Sequence, residues 1–122
     1  MYRYIVAIYL RLSVDDKRVE SMSIESQRLL LRKYAETLGD NIEIIEYVDN
    51  GYSGTNFERP AGQQLLTDVK TYKVNCILVK DFSRFGRNSI EVGYFTQQIF
   101  PLFGVRFISV SDNYDSDEHK GD

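Results

Sequence analysis

One serine and four arginines stand where they could handle a phosphate group. Arg11 and Ser13 follow the apolar run YIVAIYL, Arg59 ends the polar segment DNGYSGTNFER, and Arg84 and Arg87 lie in KDFSRFGRNS, directly after CILV. Guanidinium groups bind phosphate oxygens through paired hydrogen bonds and stay charged at any working pH. Positive charge near a serine also stabilises its alkoxide and a phosphoryl-transfer transition state. The pattern predicts a serine that attacks a phosphate held by arginines.

Several other kinds of catalytic site lack their residues in this sequence. The single histidine, His119, lies near the carboxyl end, so a Ser-His-Asp triad has no base. No G-x-x-x-x-G-K-[ST] loop is present, which excludes a P-loop nucleotidase. The first apolar run ends in Arg-Leu-Ser rather than in paired carboxylates, which disfavours a magnesium-dependent receiver-type site. The single cysteine, Cys76, lies within an apolar run and is interpreted as a core residue.

The apolar runs alternate with segments of helical periodicity. This predicts an α/β fold with a largely parallel β-sheet of about four to five strands flanked by helices. Strands are expected over residues 4–10, 42–48, 75–80 and 105–110. Helices are expected from a Ser23 cap to Gly39, from Pro60 to Lys70, and from residue 89 to Gly104 with a kink at Pro101. Ligand sites in such sheets lie beyond the carboxyl ends of the strands, so the serine and the arginines should meet at one edge.

The charge of the chain is unevenly distributed. The net charge is −3, but the last twelve residues hold five of the 18 acidic residues and one of the 15 basic ones, which leaves 14 basic and 13 acidic residues in the first 110. A domain that binds nucleic acid tightly by itself is usually more basic. No apolar run approaches the roughly 20 residues of a membrane span, and the amino end does not fit a signal peptide. We expect a cytoplasmic protein.

Each candidate residue also has an ordinary structural interpretation. A serine after a strand usually stabilises a turn, an arginine before a proline is usually solvated, and two nearby arginines often form a solvated patch. Two further functions use the same residues: a non-catalytic, phosphate-binding regulatory α/β domain, and a hydrolytic phosphodiesterase. Hydrolysis would normally need a general base or a metal ion, and neither is evident.

Four ordered motifs resemble the catalytic domain of the serine site-specific recombinases, the resolvase and invertase family. The motifs are YLRLS, Gln27 on the first predicted helix, DNGYSGTNFERP and VKDFSRFGRN. The resemblance extends from about Tyr4 to about Asp112 and is strongest to the large, transposon-borne branch. It predicts a resolvase-like catalytic domain over residues 1–112 and a disordered acidic tail over residues 113–122. The long dimerisation helix and the DNA-binding region of the family are expected to follow outside this chain.

The resemblance implies a role for each matching residue. Ser13 would be the nucleophile that forms a 5′-phosphoserine link with DNA and releases a 3′-hydroxyl. The residues around the scissile phosphate would be Arg11, Arg59, Arg84, Arg87 and Gln27. Supporting residues would be Ser83, Asp49, Ser53 and Gly54. Ser83 stands where many members of the family carry an aspartate, and a serine there can only hydrogen-bond.

The resemblance also implies partners. Double-stranded DNA would be the substrate, and the full-length protein would form dimers that pair into tetramers to break and rejoin DNA. No metal or nucleotide cofactor is expected, because the phosphoserine link keeps the bond energy for religation. This chain alone is expected to bind DNA weakly and to complete no recombination.

Overall fold

A five-stranded sheet forms the centre of the protein. The computed structural model describes residues 3–12, 23–51 and 59–118. The strands are β1 (Tyr4–Leu12), β2 (Ile42–Asn50), β3 (Cys76–Val79), β4 (Arg106–Ser109) and β5 (Tyr114–Asp115), in the order β2-β1-β3-β4-β5. β1 to β4 are parallel and β5 runs antiparallel to β4. The predicted fold class is confirmed.

The helices connect the strands and cover both faces of the sheet. They are α1 (Ile24–Ala35), which continues as a 3₁₀ turn (Glu36–Leu38), α2 (Pro60–Lys70), α3 (Phe82–Phe85), α4 (Ser89–Tyr94), a π-helical turn (Phe95–Ile99) and α5 (Phe100–Leu102). The Ser23 hydroxyl accepts a hydrogen bond from the Ser26 N–H, as the predicted amino-terminal cap requires. None of the helices in the described ranges is long and apolar enough to cross a membrane.

Side chains of β1 alternate between two apolar layers. Ala7 and Tyr9 pack with residues of α2, α4 and α5, whereas Val6, Ile8 and Leu10 pack with residues of α1. All five side chains are fully buried. A strand buried on both faces explains why this run is continuously apolar rather than alternating. It also leaves the carboxyl end of β1 as the place where polar side chains begin.

Cys76 belongs to the layer beneath α1, as predicted for a core residue. Burial raises the pKa of its thiol to about 12. Because only the thiolate is nucleophilic, we expect a thiol reagent at pH 8 to leave native Cys76 unmodified. The same reagent should modify the unfolded chain completely. A stoichiometric reaction under native conditions would contradict this prediction.

Residues 113–118, which the prediction places in a disordered acidic tail, form turns on either side of a short strand. Tyr114 and Asp115 form β5, and the Asp115 side chain is buried. Its two oxygens accept from Nε and Nη2 of Arg106 at 3.0 and 2.6 Å. A bidentate arginine–carboxylate pair is among the stronger side-chain interactions. Asp115 is therefore the buried counter-ion of Arg106. Residues 119–122 lie outside the described ranges.

The predicted irregularity at Pro101 occurs one turn earlier in the helix. The Phe100 N–H donates to the carbonyl of Phe95, five residues back, which is the π-helical pattern. Proline has no N–H, and its ring crowds the carbonyl four residues before it, here that of Gln97. A widened turn at Phe95–Ile99 accommodates that crowding without breaking the helix.

Gly104 ends this helix in the left-handed region, with φ of +71°. A Cβ atom added there would meet no atom within 4 Å, so alanine would cost backbone strain alone. We expect Gly104→Ala to lower the free energy of unfolding by about 1 kcal/mol, measured by urea denaturation. Gly93→Ala is the matched control, because Gly93 is helical and equally uncrowded. Equal stability of Gly104→Ala and wild type would contradict the prediction.

Candidate active site

Arg11 is the last residue but one of β1 and is fully buried. Its Nε donates to the carbonyl of Arg84 at 3.0 Å, and its Nη2 donates to the carbonyl of Ser83 at 2.6 Å. Both acceptors belong to α3, which follows β3. The guanidinium of Arg11 thus joins the carboxyl ends of two neighbouring parallel strands. This is the edge of the sheet where the sequence predicted the site.

Gln27 supports Arg11 through the main chain. The pairing of β1 with β3 ends at Ile8, so the main-chain groups of Arg11 lie beyond it. The Gln27 side chain is fully buried, accepts from the Arg11 N–H at 3.3 Å and donates to the Arg11 carbonyl at 3.0 Å. Its amide takes the position that a neighbouring strand would occupy. Gln27 is therefore a buried support of the end of β1 and not a solvated residue on the surface of α1.

Arg84 completes a close contact with Arg11. It lies in α3, its side chain is buried, and its Nη1 donates to the carbonyl of Arg11 at 3.3 Å. Each of the two arginines therefore donates to the main chain of the other. This reciprocal arrangement fixes both guanidinium groups relative to the end of β1.

Arg59 joins the cluster from the start of α2. It is buried to 1% exposure, although it directly precedes a proline on the surface. Its Nη2 donates to the carbonyl of Phe85 at 2.7 Å, and its Nη1 donates to the Tyr9 hydroxyl at 3.0 Å. The guanidinium also lies over the Tyr9 ring, 5.5 Å from its centroid. A solvated Arg59 is excluded.

Asp49 anchors Tyr9 and the amino end of α2 together. The Tyr9 hydroxyl donates to Oδ2 of Asp49 at 2.7 Å, and the carboxylate accepts from the N–H groups of Ala61 and Gly62 at 2.9 and 2.8 Å. Asp49 thereby caps α2 from the end of β2, a task that Arg59, the residue at the cap position, does not perform. Burial raises the pKa of Tyr9, and the hydrogen bond to Asp49 adds to this although the charge of Arg59 opposes it. Tyr9 therefore remains a neutral donor.

The electrostatic result is a buried group of three arginines: Arg11, Arg59 and Arg84. Several of their donors are satisfied by carbonyl oxygens of α3 and β1. Carbonyl dipoles fix the geometry of a guanidinium without removing its formal charge. Charges act more strongly in such a low-dielectric setting than in water. We call this group, Arg11, Arg59 and Arg84, the arginine cluster.

Arg87 is not brought into the arginine cluster. α3 ends at Phe85, Gly86 is extended, and the Arg87 side chain is exposed. It lines a cavity of about 450 Å³ together with Ser83, on the side of α3 that faces α4. Two side chains three positions apart lie on one side only where the backbone is helical or turned, and α3 ends at Phe85, before Arg87. Arg87 remains beside the cluster, at the surface.

Ser83 is held by a carboxylate that the sequence analysis did not assign. Its hydroxyl donates to Oδ1 of Asp81 at 2.6 Å. Burial raises the pKa of Asp81, but hydrogen bonds from Ser83 and Lys80 outweigh it and lower the pKa below its usual value. Ser83 therefore stands beside an ionised aspartate two residues earlier in the chain.

Three predicted residues lie outside the described ranges: Ser13, Ser53 and Gly54. Ser13 is the residue after the last position of β1. Tyr9 was not predicted as a site residue. It carries a hydroxyl within an apolar strand and lies two positions before Arg11, therefore on the same side of the strand, and this could have indicated its role. Among the described residues, no group of three or more His, Cys, Asp or Glu side chains could hold a metal ion.

Residues 6–122 match the family described as Resolvase, N terminal domain. The chain belongs to this family. The N-terminal catalytic domain of TP901-1 integrase is 33% identical, with a TM-score of 0.80 over 93% of this chain and 82% of that chain. A resolvase family site-specific recombinase from Streptococcus pneumoniae is also 33% identical, with a TM-score of 0.77 over 97% of this chain and 79% of that chain. The predicted serine recombinase family and the resolvase-like fold are confirmed.

One curated relative is much longer than the part of it that matches this chain. A Bacillus subtilis (strain 168) protein named "Putative DNA recombinase" is 32% identical over 82 residues, which is 67% of this chain and 16% of that protein. The matched part thus spans about a sixth of this curated relative. The resolvase-family domain described here corresponds to a small portion of such a protein.

Tyr9 offers a test of this resolvase-family site that leaves its charges unchanged. Tyr9→Phe removes the hydroxyl between Arg59 and Asp49 and leaves a buried donor and acceptor without it. We expect the free energy of unfolding to fall by about 1–3 kcal/mol, measured by urea denaturation. Tyr72→Phe is the matched control, because the Tyr72 ring is 70% exposed. Equal losses in the two variants would show that the Tyr9 hydroxyl adds nothing to the arginine cluster.

Proposed function

We propose that this chain is the catalytic domain of a site-specific DNA recombinase that cuts and rejoins DNA through Ser13. The observation that carries the proposal is the buried arginine cluster at the carboxyl end of β1, with Arg11 two residues before Ser13. Family membership supports the same function. Buried arginines held by carbonyl oxygens keep their positive charge in a fixed position. This fits the stabilisation of a dianionic or developing phosphate charge better than it fits a purely structural role.

The reaction is a transesterification at phosphorus. The Ser13 hydroxyl loses its proton as its oxygen forms a bond to the phosphorus of a DNA phosphodiester. The bond from phosphorus to the 3′-oxygen breaks, and that oxygen takes up one proton and leaves as a 3′-hydroxyl, so no proton is gained or lost overall. The product is a 5′-phosphoserine, and attack by a 3′-hydroxyl on it reverses the step. The transition state gathers negative charge on the phosphoryl oxygens. Arginines fixed in advance stabilise that charge without reorganising.

The site residues divide into groups with different tasks. Arg11, Arg59 and Arg84 stabilise the phosphoryl charge from within the cluster. Arg87, which is exposed, contacts the DNA backbone at the surface. The positioning residues are Gln27 through the main chain of Arg11, Asp49 through Tyr9 and α2, and Ser83 through α3. Ser53 and Gly54, which lie outside the described ranges, are proposed as supporting residues on the family resemblance alone.

Double-stranded DNA is the proposed partner, bound weakly by this domain alone because its charged residues nearly cancel. In the full-length protein, dimers pair into tetramers that bring two DNA duplexes together and cut both. The reaction needs no metal ion or nucleotide, because the phosphoserine keeps the energy of the cleaved bond. The proposed setting is the cytoplasm.

The test uses the longest natural protein that contains this chain, incubated with supercoiled plasmid carrying candidate recombination sites and then denatured. Wild type should leave protein attached to DNA 5′ ends and free 3′-hydroxyls, and Ser13→Ala should leave none. Ser111→Ala is the control, because Ser111 is exposed on a turn. An adduct that persists in Ser13→Ala would overturn the assignment. Cut DNA without attached protein would instead favour hydrolysis, and binding without cutting would favour a regulatory phosphate-binding domain.

A further inference from the structure

The short helix α3 supplies the carbonyl groups that hold two members of the arginine cluster. The carbonyls of Ser83 and Arg84 accept from Arg11, and the carbonyl of Phe85 accepts from Arg59. A four-residue helix is not stable by itself, because nucleation fixes several residues for one hydrogen bond. The placement of the arginines therefore depends on whatever holds α3 in position.

Two carboxylates hold the amino end of α3. Asp81 Oδ1 accepts from the Arg84 N–H at 3.1 Å and from the Ser83 hydroxyl at 2.6 Å. The second carboxylate comes from a distant segment: Asp112 Oδ2 accepts from the Phe82 N–H at 2.9 Å, thirty residues away along the chain. Negative charge at the amino end and guanidinium groups at the carboxyl end both match the helix dipole.

Asp112 is itself fixed by the turn between β4 and β5. The Ser109 hydroxyl donates to Asp112 Oδ2 at 2.7 Å, and Ser109 is fully buried. The Ser111 N–H donates to the carbonyl of Lys80 at 2.8 Å, which ties the turn to the residue just before the Asp81 cap. The turn thus presents one carboxylate to α3 at a fixed position.

We propose that Asp112 is a positioning residue of the active site, acting through α3 on Arg11 and Arg59. Asp81 holds the same helix locally, and Asp112 ties it to the far strands of the sheet. The inference rests on the proposed function for its effect on cleavage. The effect of Asp112 on the position of the arginine cluster does not depend on that function and is measured separately by hydrogen exchange.

The first measurement is hydrogen exchange of the Arg11 Nε–H, followed by NMR in this chain and identified by its loss in Arg11→Lys. Asp112→Ala removes the partner of the Phe82 N–H, so we expect the exchange to accelerate by about tenfold, as for the loss of a helix cap. Asp112→Asn keeps an acceptor oxygen and should restore most of the protection. Glu118→Ala is the control, because Glu118 is an exposed carboxylate of the same acidic segment.

The second measurement is the rate of DNA adduct formation in the longest natural protein that contains the chain. Asp112→Ala should lower the maximal rate by about tenfold to a hundredfold through misplaced arginines, with the DNA concentration at half-maximal rate within twofold of wild type. Asp112→Asn should recover most of that rate. A general loss of stability would not produce this split between rate and affinity.

Unchanged Arg11 exchange in folded Asp112→Ala would overturn the proposal, and so would an unchanged adduct rate. If Asp112→Ala does not fold, Ser109→Ala replaces it, because that variant removes only the hydrogen bond that orients Asp112. In Ser109→Ala we expect the Arg11 Nε–H to exchange faster than in wild type but more slowly than after complete loss of the cap. Exchange as slow as in wild type would again overturn the proposal. If wild type forms no adduct, the proposed function fails, and the exchange experiment alone decides the role of Asp112.

Discussion

Arg11→Ala should lower the rate of DNA adduct formation by about a thousandfold, the upper range for removing one preorganised electrostatic donor. Two losses combine in this variant. The charge beside the proposed nucleophile disappears, and the carbonyls of Ser83 and Arg84 lose the donors that hold α3. The rate is measured as protein-linked DNA over time in the longest natural protein containing the chain. Circular dichroism of each variant establishes the folded fraction.

Two further variants separate charge from geometry at Arg11. Arg11→Lys keeps the charge, but one ammonium group cannot reproduce the planar fork that reaches two carbonyls, so only a minor part of the rate should return. Arg3→Ala is the matched control, because Arg3 lies beside the opposite end of β1 and pairs with Glu43 at the surface. A rate within tenfold of wild type in folded Arg11→Ala would contradict the central place of this residue.

Asp49→Ala should lower the free energy of unfolding by about 3 kcal/mol, since it removes one side of a buried charged network. The carboxylate accepts from the Tyr9 hydroxyl and from two N–H groups at the start of α2. Alanine leaves all three donors without that acceptor and also removes the cap of the helix. We expect the rate of DNA adduct formation to fall as well, because the Tyr9 hydroxyl that accepts from Arg59 is no longer held by the carboxylate.

Urea denaturation followed by circular dichroism measures the stability of Asp49→Ala. Asp40→Ala is the matched control: Asp40 is an exposed aspartate just before β2, whereas Asp49 lies near its other end. The control should stay within about 0.5 kcal/mol of wild type, as surface substitutions usually do. A similarly small loss in Asp49→Ala would mean that water or neighbouring groups replace the carboxylate, and the network would not be the anchor of Arg59.

The alternation of strands and helices was predictable because it depends on local patterns. Continuous apolar runs, a serine cap, Pro60 and Gly104 each act over a few residues, and the structure has elements at all these positions. The meeting of Arg11 and Arg84 was predictable too, since parallel strands end at one edge of a sheet. These features follow from periodicity and topology alone.

Features that depend on a single distant contact were not predictable. The burial of Arg59 rests on the hydroxyl of Tyr9 and the carbonyl of Phe85, which are 50 and 26 residues away. The order of the acidic segment rests on Arg106, which takes Asp115 as its counter-ion. A charge count treats such an aspartate as solvated. Only the folded chain shows which charges are paired.

The position of Arg87 depended on the length of one helix. A spacing of three residues places two side chains together only where the backbone is helical or turned. α3 stops at Phe85 and Gly86 is extended, so Arg84 is buried while Arg87 is exposed. Motif reasoning gave no role to Asp81 or Asp112, because Asp112 lies outside the four motifs and both carboxylates act on main-chain groups.

The most direct test of the central claim is to identify the residue that carries DNA. The denatured adduct from the longest natural protein containing this chain is digested with a protease and a nuclease, and the peptide bearing the residual nucleotide is sequenced by mass spectrometry. We expect the nucleotide on Ser13, linked through a 5′-phosphate. A nucleotide on any other residue, such as Ser83, would contradict the account and would move the nucleophile away from the end of β1.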